Sequence, residues 1–518
     1  MLATLLSATL AGLDGRLVRV EVDVAPGLPG FTIVGLPDAA LQEARERVRG
    51  ALRNSGYAYP PRRITVNLAP AEIRKAGASL DLAIAIGILL GSGQLHPAAR
   101  WAVLGELSLG GEVVGVPGIL PMVDALVRAG VERIVVPADD LAEARLVAGP
   151  RIAPASTLLE AAAAVRARRT ARRPVDRVAM AAPGDDGAPP RIQARPVSED
   201  AGPDLGEVRG QLAARRALEI ALAGGHGLLL VGPPGSGKTL LARTIPGLLP
   251  PLDDREALSA TMVASVAGER PNALVRRRPF RSPHHTMSYA AMVGGGPRLS
   301  PGEVTRADHG VLFLDELPEF GRDVLEALRE PLEDGRVAIA RAGRAAIFPA
   351  RFQLVAAMNP CPCGRAGLSD GGCTCPIGVP ERYAARVSGP LRDRIDLRVD
   401  LARVPGLALV GGPPPDDTSS VRARIAACRE RQLARQGTLN ATVPGRRLRV
   451  FAHLDATGRR RLVELVDLEG QSARGADRLL RVARTIADLA GEPVIDVPAL
   501  EEAARYRTGR MDPLVRAG

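Results

Sequence analysis

Gly227-Leu228-Leu229-Leu230-Val231-Gly232-Pro233-Pro234-Gly235-Ser236-Gly237-Lys238-Thr239 is the stretch whose reading decides the fold. Its first five residues form an apolar run suited to a buried strand. The last eight fit the spacing G-x-x-x-x-G-K-[ST], and the residues from about Lys238 onward read as a helix. Strand, glycine-rich turn and helix in that order point to phosphate binding, because glycines let successive backbone N–H groups curl around an anion at a helix N-terminus. Gly232, Pro233, Pro234, Gly235, Ser236 and Gly237 then form the cradle. Lys238 reaches the β and γ oxygens of a nucleoside triphosphate, and the Thr239 hydroxyl is a magnesium ligand. The lysine is itself informative. Arginine supplies nearly all the basic residues, and Lys75 and Lys238 are the only two lysines; a compact ammonium is required at the second.

Working outward, Val311-Leu312-Phe313-Leu314 is a second apolar strand, and it ends in Asp315-Glu316. One acid, Asp315, holds magnesium, and Glu316 is placed to polarise a water for attack on the γ-phosphate. A third strand, Phe352 to Ala357, precedes Asn359, and Leu391 to Asp396 carries Arg394. Upstream, Leu17 to Thr157 alternates strand-like runs (Val18 to Val24, Ile64 to Leu68, Trp101 to Leu109, Arg133 to Val136) with helical ones such as Ala39 to Asn54, the pattern of an α/β domain. A Pro-, Gly- and Ala-rich stretch reads as a linker, and helical periodicity dominates after Gly411 to Pro415: Ser419 to Arg435, Ala456 to Leu468, Ser472 to Ala490 and Pro498 to Tyr506. The expected division is an N-terminal α/β domain over 1–170, a linker over 171–203, an α/β nucleotide domain over 204–405 and a helical domain over 416–518.

At 518 residues, several domains are expected. Net charge is +11, with a pI near 10.2, which favours polyanionic partners, although a G+C-rich genome produces the same arginine-for-lysine skew without selection for DNA. No apolar run approaches the roughly 20 residues of a membrane helix, Leu82 to Leu90 being the longest. No membrane partner is therefore expected. Met1 to Leu13 lacks a basic leader region and reads as folded structure. Four of the five cysteines crowd together as Cys361-x-Cys363, nine residues, then Cys373-x-Cys375. That grouping suits a tetrahedral zinc site or reduced thiols better than a secreted disulfide framework, and it places the chain in the cytoplasm.

Arg281 to His285 (Arg-Ser-Pro-His-His), Gly294 to Gly296, Pro301 to Glu303, Gly310 to Phe320, Met358 to Gly364, Ser388 to Pro390 and Ala473 to Leu489 together resemble the magnesium-chelatase-like AAA+ ATPases of the ComM/YifB competence family. The resemblance covers nearly the whole chain. It implies a central AAA+ αβα domain with a helical C-terminal lid, a hexameric ring, ATP and Mg²⁺ as ligands, and ATP-driven branch migration of DNA in natural transformation. Asn359 then becomes the residue that orients the attacking water, and Arg394 an arginine finger supplied to the neighbouring subunit. Arg474 is the sensor on the C-terminal helix, with Arg481 as the alternative.

The segments Gly105 to Glu112 and Arg128 to Pro137 resemble a Lon-protease-like (ribosomal S5 domain 2-like) fold. Ser79 falls near that nucleophile's place, but the segment that should bring the lysine contains Met122, so the domain reads as a non-catalytic relative. His284 and His285 read as loop residues that contact substrate, or as metal ligands. Two arginine-rich segments, Arg276 to Arg281 and a hairpin-like Arg336 to Arg344 with Arg341 and Arg344, are expected to meet DNA phosphates without reading bases. The competing function is a chelatase-like motor that remodels a protein partner for metal insertion.

Overall fold

Val18, Val20, Val22 and Val24 alternate along the second strand and are all buried, so one face of that strand is committed to a core. The computed structural model describes residues 1–166 and 202–508, apart from 73–74, 76, 98, 297–298, 342–343, 367–371, 405, 407–415 and 469–471. The expected linker 171–203 therefore lies almost wholly outside the described residues, as does the break at Gly411 to Pro415.

Strand Asp14–Ala25 pairs antiparallel with Leu2–Ala11 and with Arg63–Ala69. These belong to a seven-stranded mixed sheet in the order Gly30–Val34, Arg63–Ala69, Asp14–Ala25, Leu2–Ala11, Ala102–Val103, Arg133–Pro137, Arg151–Ala155. Helix Asp81–Gly91, buried along its whole length, lies on the Asp14–Ala25 and Leu2–Ala11 strands. The longest apolar run is thus a core helix, and among the described residues no helix is long and apolar enough to cross a membrane. The stretch Trp101 to Leu109 is not the single strand expected. Ala102–Val103 joins the large sheet, while Glu106–Leu107 pairs instead with Val113–Val114 in a small separate hairpin.

The second sheet is parallel and five-stranded, in the order Phe280–Arg281, Val311–Leu314, Gln353–Met358, Leu228–Val231, Leu397–Asp400. Both of its faces are covered, which is why its strands read as unbroken apolar runs and not as alternations. Leu228, Leu230, Val311, Phe313, Val355 and Ala357 face one core, and Leu229, Val231, Leu312, Leu314, Leu354 and Ala356 face the other. The first core is completed by the helices Thr418–Gln436, Ala473–Ala490 and Val497–Thr508 through Ile425, Leu479 and Leu500. The helical segment is therefore one wall of the nucleotide domain's own core. His226, fully buried, pins the two together: Nδ1 lies 3.2 Å from Asp396 Oδ2 and Nε2 2.8 Å from Thr485 Oγ1.

The two sheets meet at helix Asp254–Val266. Gly118 N–H donates to the Ser265 carbonyl at 2.9 Å, Leu120 N–H to Ser265 Oγ at 3.4 Å, and Arg270 Nε lies 3.3 Å from Asp140 Oδ1.

Candidate active site

Parallel strands direct their C-terminal ends to one edge of a sheet, and at a crossover that edge becomes a cleft. Here strand Leu228–Val231 lies between Gln353–Met358 and Leu397–Asp400, and Val311–Leu314 is one strand further out. The residues that follow three of these strands converge on one cleft of about 160 Å³, lined by Pro234, Gly235, Lys238, Thr239, Asp315, Glu316, Met358 and Asn359. A larger hollow of about 530 Å³ between Leu212, Ile486, Ala499 and Tyr506 shares no lining residue with this cleft.

Gly235 and Gly237 take the left-handed φ values of +76° and +89° that the loop needs, and helix Lys238–Arg243 begins directly after. Lys238 Nζ donates to the Gly232 carbonyl at 2.7 Å, to the Pro233 carbonyl at 2.9 Å and to Asn359 Oδ1 at 3.2 Å. Burial lowers its pKa, against the upward pull of Asp315 and Glu316. Thr239 Oγ1 donates to Asp315 Oδ2 at 2.7 Å, which puts two hard oxygen donors side by side. Such donors suit Mg²⁺, which takes oxygen ligands and is typically held by one or two protein groups together with substrate phosphates.

Glu316 stands at φ +53°, unusual for a non-glycine residue, with its side chain half exposed at the cleft mouth. Its Oε2 lies 3.2 Å from His285 Nδ1. His284 and His285 lie side by side. Their ring centroids are 4.2 Å apart, and His285 also meets Phe320 edge-on at 6.4 Å. Sequence reading missed this contact, because it depends on Phe280–Arg281 lying in register with Val311 and Leu312.

Arg394 and Arg474 do not line this cleft. Arg394 pairs with Glu333; burial first, and then the positive charges of Arg474, Arg478 and Arg329, lower its pKa. Arg481 Nε donates to the Val443 carbonyl at 3.1 Å, within the helical segment. In the basic segment before the histidines, three arginines have acidic partners within the chain. Arg278 pairs with Glu256 at 2.8 Å, Arg281 with Glu303 at 2.6 Å and Arg276 with Asp254, so these side chains are committed to holding loops inside the chain. Strands Arg336–Arg341 and Arg344–Pro349 do form the antiparallel hairpin expected, with Arg341 opposite Arg344; the side chains of these two arginines lie outside the described residues.

In the N-terminal sheet domain, Met122 is buried in helix Ile119–Arg128. Lys75 is buried and donates to the Pro70 carbonyl.

Four thiols gather beyond Asn359. The sulfurs of Cys361, Cys363, Cys373 and Cys375 all lie within 4.8 Å of one another. Backbone N–H groups of Thr374 and Arg365 lower the pKa of Cys363.

Three family models match the chain: "Subunit ChlI of Mg-chelatase" over 20–140, "Magnesium chelatase, subunit ChlI" over 204–409 and "Magnesium chelatase, subunit ChlI C-terminal" over 415–507. Competence protein ComM of Haemophilus influenzae is 41% identical over 98% of this chain and 97% of its own length. The chain belongs to the magnesium-chelatase-like ComM/YifB family. YifB of Escherichia coli, itself uncharacterized, is 42% identical over 96% of this chain and 95% of its own. The 67 kDa magnesium-chelatase subunit of Heliobacterium mobile is a more distant relative, 24% identical over 38% of this chain and 33% of its own. A ComM/YifB-family protein with this cleft is of the chelatase-like, AAA+-like type, for which ATP and Mg²⁺ are the suggested ligands.

Proposed function

We propose that the chain is an ATP hydrolase that assembles into a hexameric ring and uses ATP to move along DNA, driving branch migration. The observation that carries the hydrolase reading is the convergence of Lys238, the Thr239–Asp315 pair, Glu316 and Asn359 on one cleft. Lys238 and the loop N–H groups bind the phosphates, and Thr239 and Asp315 would hold Mg²⁺, which supplies neutralisation of phosphate charge when bound with the nucleotide. Glu316 orients a water in line with the γ-phosphate and accepts its proton at the carboxylate. Asn359, whose Oδ1 faces Lys238, fixes the far side of that water. Arg394 completes the neighbouring subunit's site in this reading, exchanging its internal partner Glu333 for a phosphate oxygen. Zinc is the metal that the four cysteine thiols suit.

The DNA reading rests on the competence-protein relative, the basic balance of the chain and the arginine-bearing hairpin Arg336–Pro349. A second reading, a chelatase-like motor acting on a protein partner, is favoured by the magnesium-chelatase models that match all three parts of the chain. ATPase rate measured with and without forked and four-way DNA, over a range of salt, separates them. Stimulation that weakens with salt supports the DNA motor. DNA that neither binds at moderate salt nor stimulates hydrolysis removes that reading in favour of the second.

A further inference from the structure

The sulfurs of Cys361 and Cys363 are 3.3 Å apart, those of Cys361 and Cys373 3.9 Å, and those of Cys363 and Cys373 3.7 Å. A disulfide would bring two of them to about 2.0 Å. A single tetrahedral zinc, with Zn–S bonds of about 2.3 Å, spaces its sulfurs about 3.8 Å apart. A multi-iron cluster sits between its cysteines and spreads them wider, so the spacing selects one small ion. Backbone donors face two of the four sulfurs. Ala366 N–H donates to Cys361 Sγ at 3.2 Å, and N–H groups of Arg365 and Thr374 point at Cys363. Donors aimed at sulfur offset the negative charge that four thiolates leave around a dication.

The position of the cluster matters more than its composition. Cys361 is buried two residues beyond Asn359, whose side chain touches Lys238. The turn closed by Gly364 N–H on the Cys361 carbonyl, at 2.9 Å, presses on the phosphate loop itself. A Cβ at Gly364 would lie 2.4 Å from Pro234 Cδ, and Gly364 holds φ +76°. Pro234 in turn lines the nucleotide cleft.

We propose that one zinc ion bound by Cys361, Cys363, Cys373 and Cys375 is a clasp for the ATP site, holding the Cys361 to Arg365 turn against Pro234 and so fixing both the phosphate loop and Asn359. The proposal rests on the nucleotide reading of the Lys238 cleft. It makes the ion a positioning element and not a reactant: zinc touches neither phosphate nor water, and acts on binding through Gly364 and Pro234.

The test uses the full chain purified without chelator. Elemental analysis should find about one zinc per chain, and replacement by Co²⁺ should give the intense visible bands of a tetrahedral tetrathiolate. Stripping the zinc should weaken binding of a fluorescent ATP analogue by roughly tenfold or more, with the circular dichroism unchanged, and one equivalent of Zn²⁺, but not excess Mg²⁺, should restore it. Cys373→Ser should behave like the stripped protein; if that variant does not fold, the stripped wild type carries the comparison. Gly364→Ala separates the two halves of the idea, and should keep zinc while losing nucleotide affinity. Iron in place of zinc, or full nucleotide affinity in stripped protein, overturns the clasp alone. A zinc-loaded wild type that binds no nucleotide overturns the ATP reading instead, and the clasp's role with it.

Discussion

At the scale of single residues, the proposed ATPase reading gives Lys238 and Glu316 separate roles, and their variants should fail in different ways. Lys238 is buried in the loop and touches two of its carbonyls, so Lys238→Ala should weaken ATP binding itself, seen as loss of nucleotide-analogue affinity. Glu316 stands apart at the cleft mouth. Glu316→Gln should bind ATP normally while turnover falls by about 10²–10⁴-fold, the usual worth of a general base; near-normal turnover would remove Glu316 from its role. Glu256 makes a different kind of prediction. Burial works to raise its pKa, but hydrogen bonds from His309 and Arg278, with the charge of Arg278, outweigh it and hold the group at about 2. Its folded value lies below the ordinary 4.5, so its contribution is present above pH 4.5 and is lost as pH falls toward 2. That contribution is roughly 2–3 kcal/mol, and Glu256→Gln should flatten the acid limb of a urea-unfolding series over this window.

At the scale of elements, what could be read from the sequence was what local chemistry decides. Val311 to Leu314 and Ala456 to Leu468 fall where the apolar pattern puts them, and the helix after the phosphate loop begins at Lys238. Gly235 and Gly237 signal their own conformation. Contacts between distant segments could not be read in the same way. His285 meets Glu316 only because two strands lie in register, and Arg278 and Arg281 look like free cations until Glu256 and Glu303 fold back onto them. Nor does periodicity show that the C-terminal helices close the core of the parallel sheet, since a helix face looks the same whatever it packs against. Leu479 sits fully buried in that shared core with Leu230 and Phe313. Leu479→Ala should therefore cost about 2–5 kcal/mol. Because the core is common, the loss should appear in nucleotide protection against thermal unfolding as well as in helical signal; a drop confined to the helices would show that the two segments fold independently.

At the scale of the whole molecule, the ring reading makes Arg394 a residue that serves a neighbour. Neither Arg394→Ala nor Lys238→Ala protein should hydrolyse ATP alone, yet a mixture should recover part of the activity, because some interfaces pair an intact loop with an intact arginine. Absence of recovery from mixtures in which both variants still assemble would end the shared-site idea. A further consequence follows from the two lysines. In a chain with sixty-eight basic side chains, Lys75 and Lys238 carry its only side-chain amines, one in each sheet domain, and both are buried. An acylating reagent should therefore meet almost no background from side chains while the chain is folded. Modification of Lys75 would time the opening of the N-terminal sheet. Modification of Lys238, slowed further by bound nucleotide, would time the opening of the phosphate loop. Peptide mapping after a short pulse would then give two independent clocks, built into the native sequence without any engineered label.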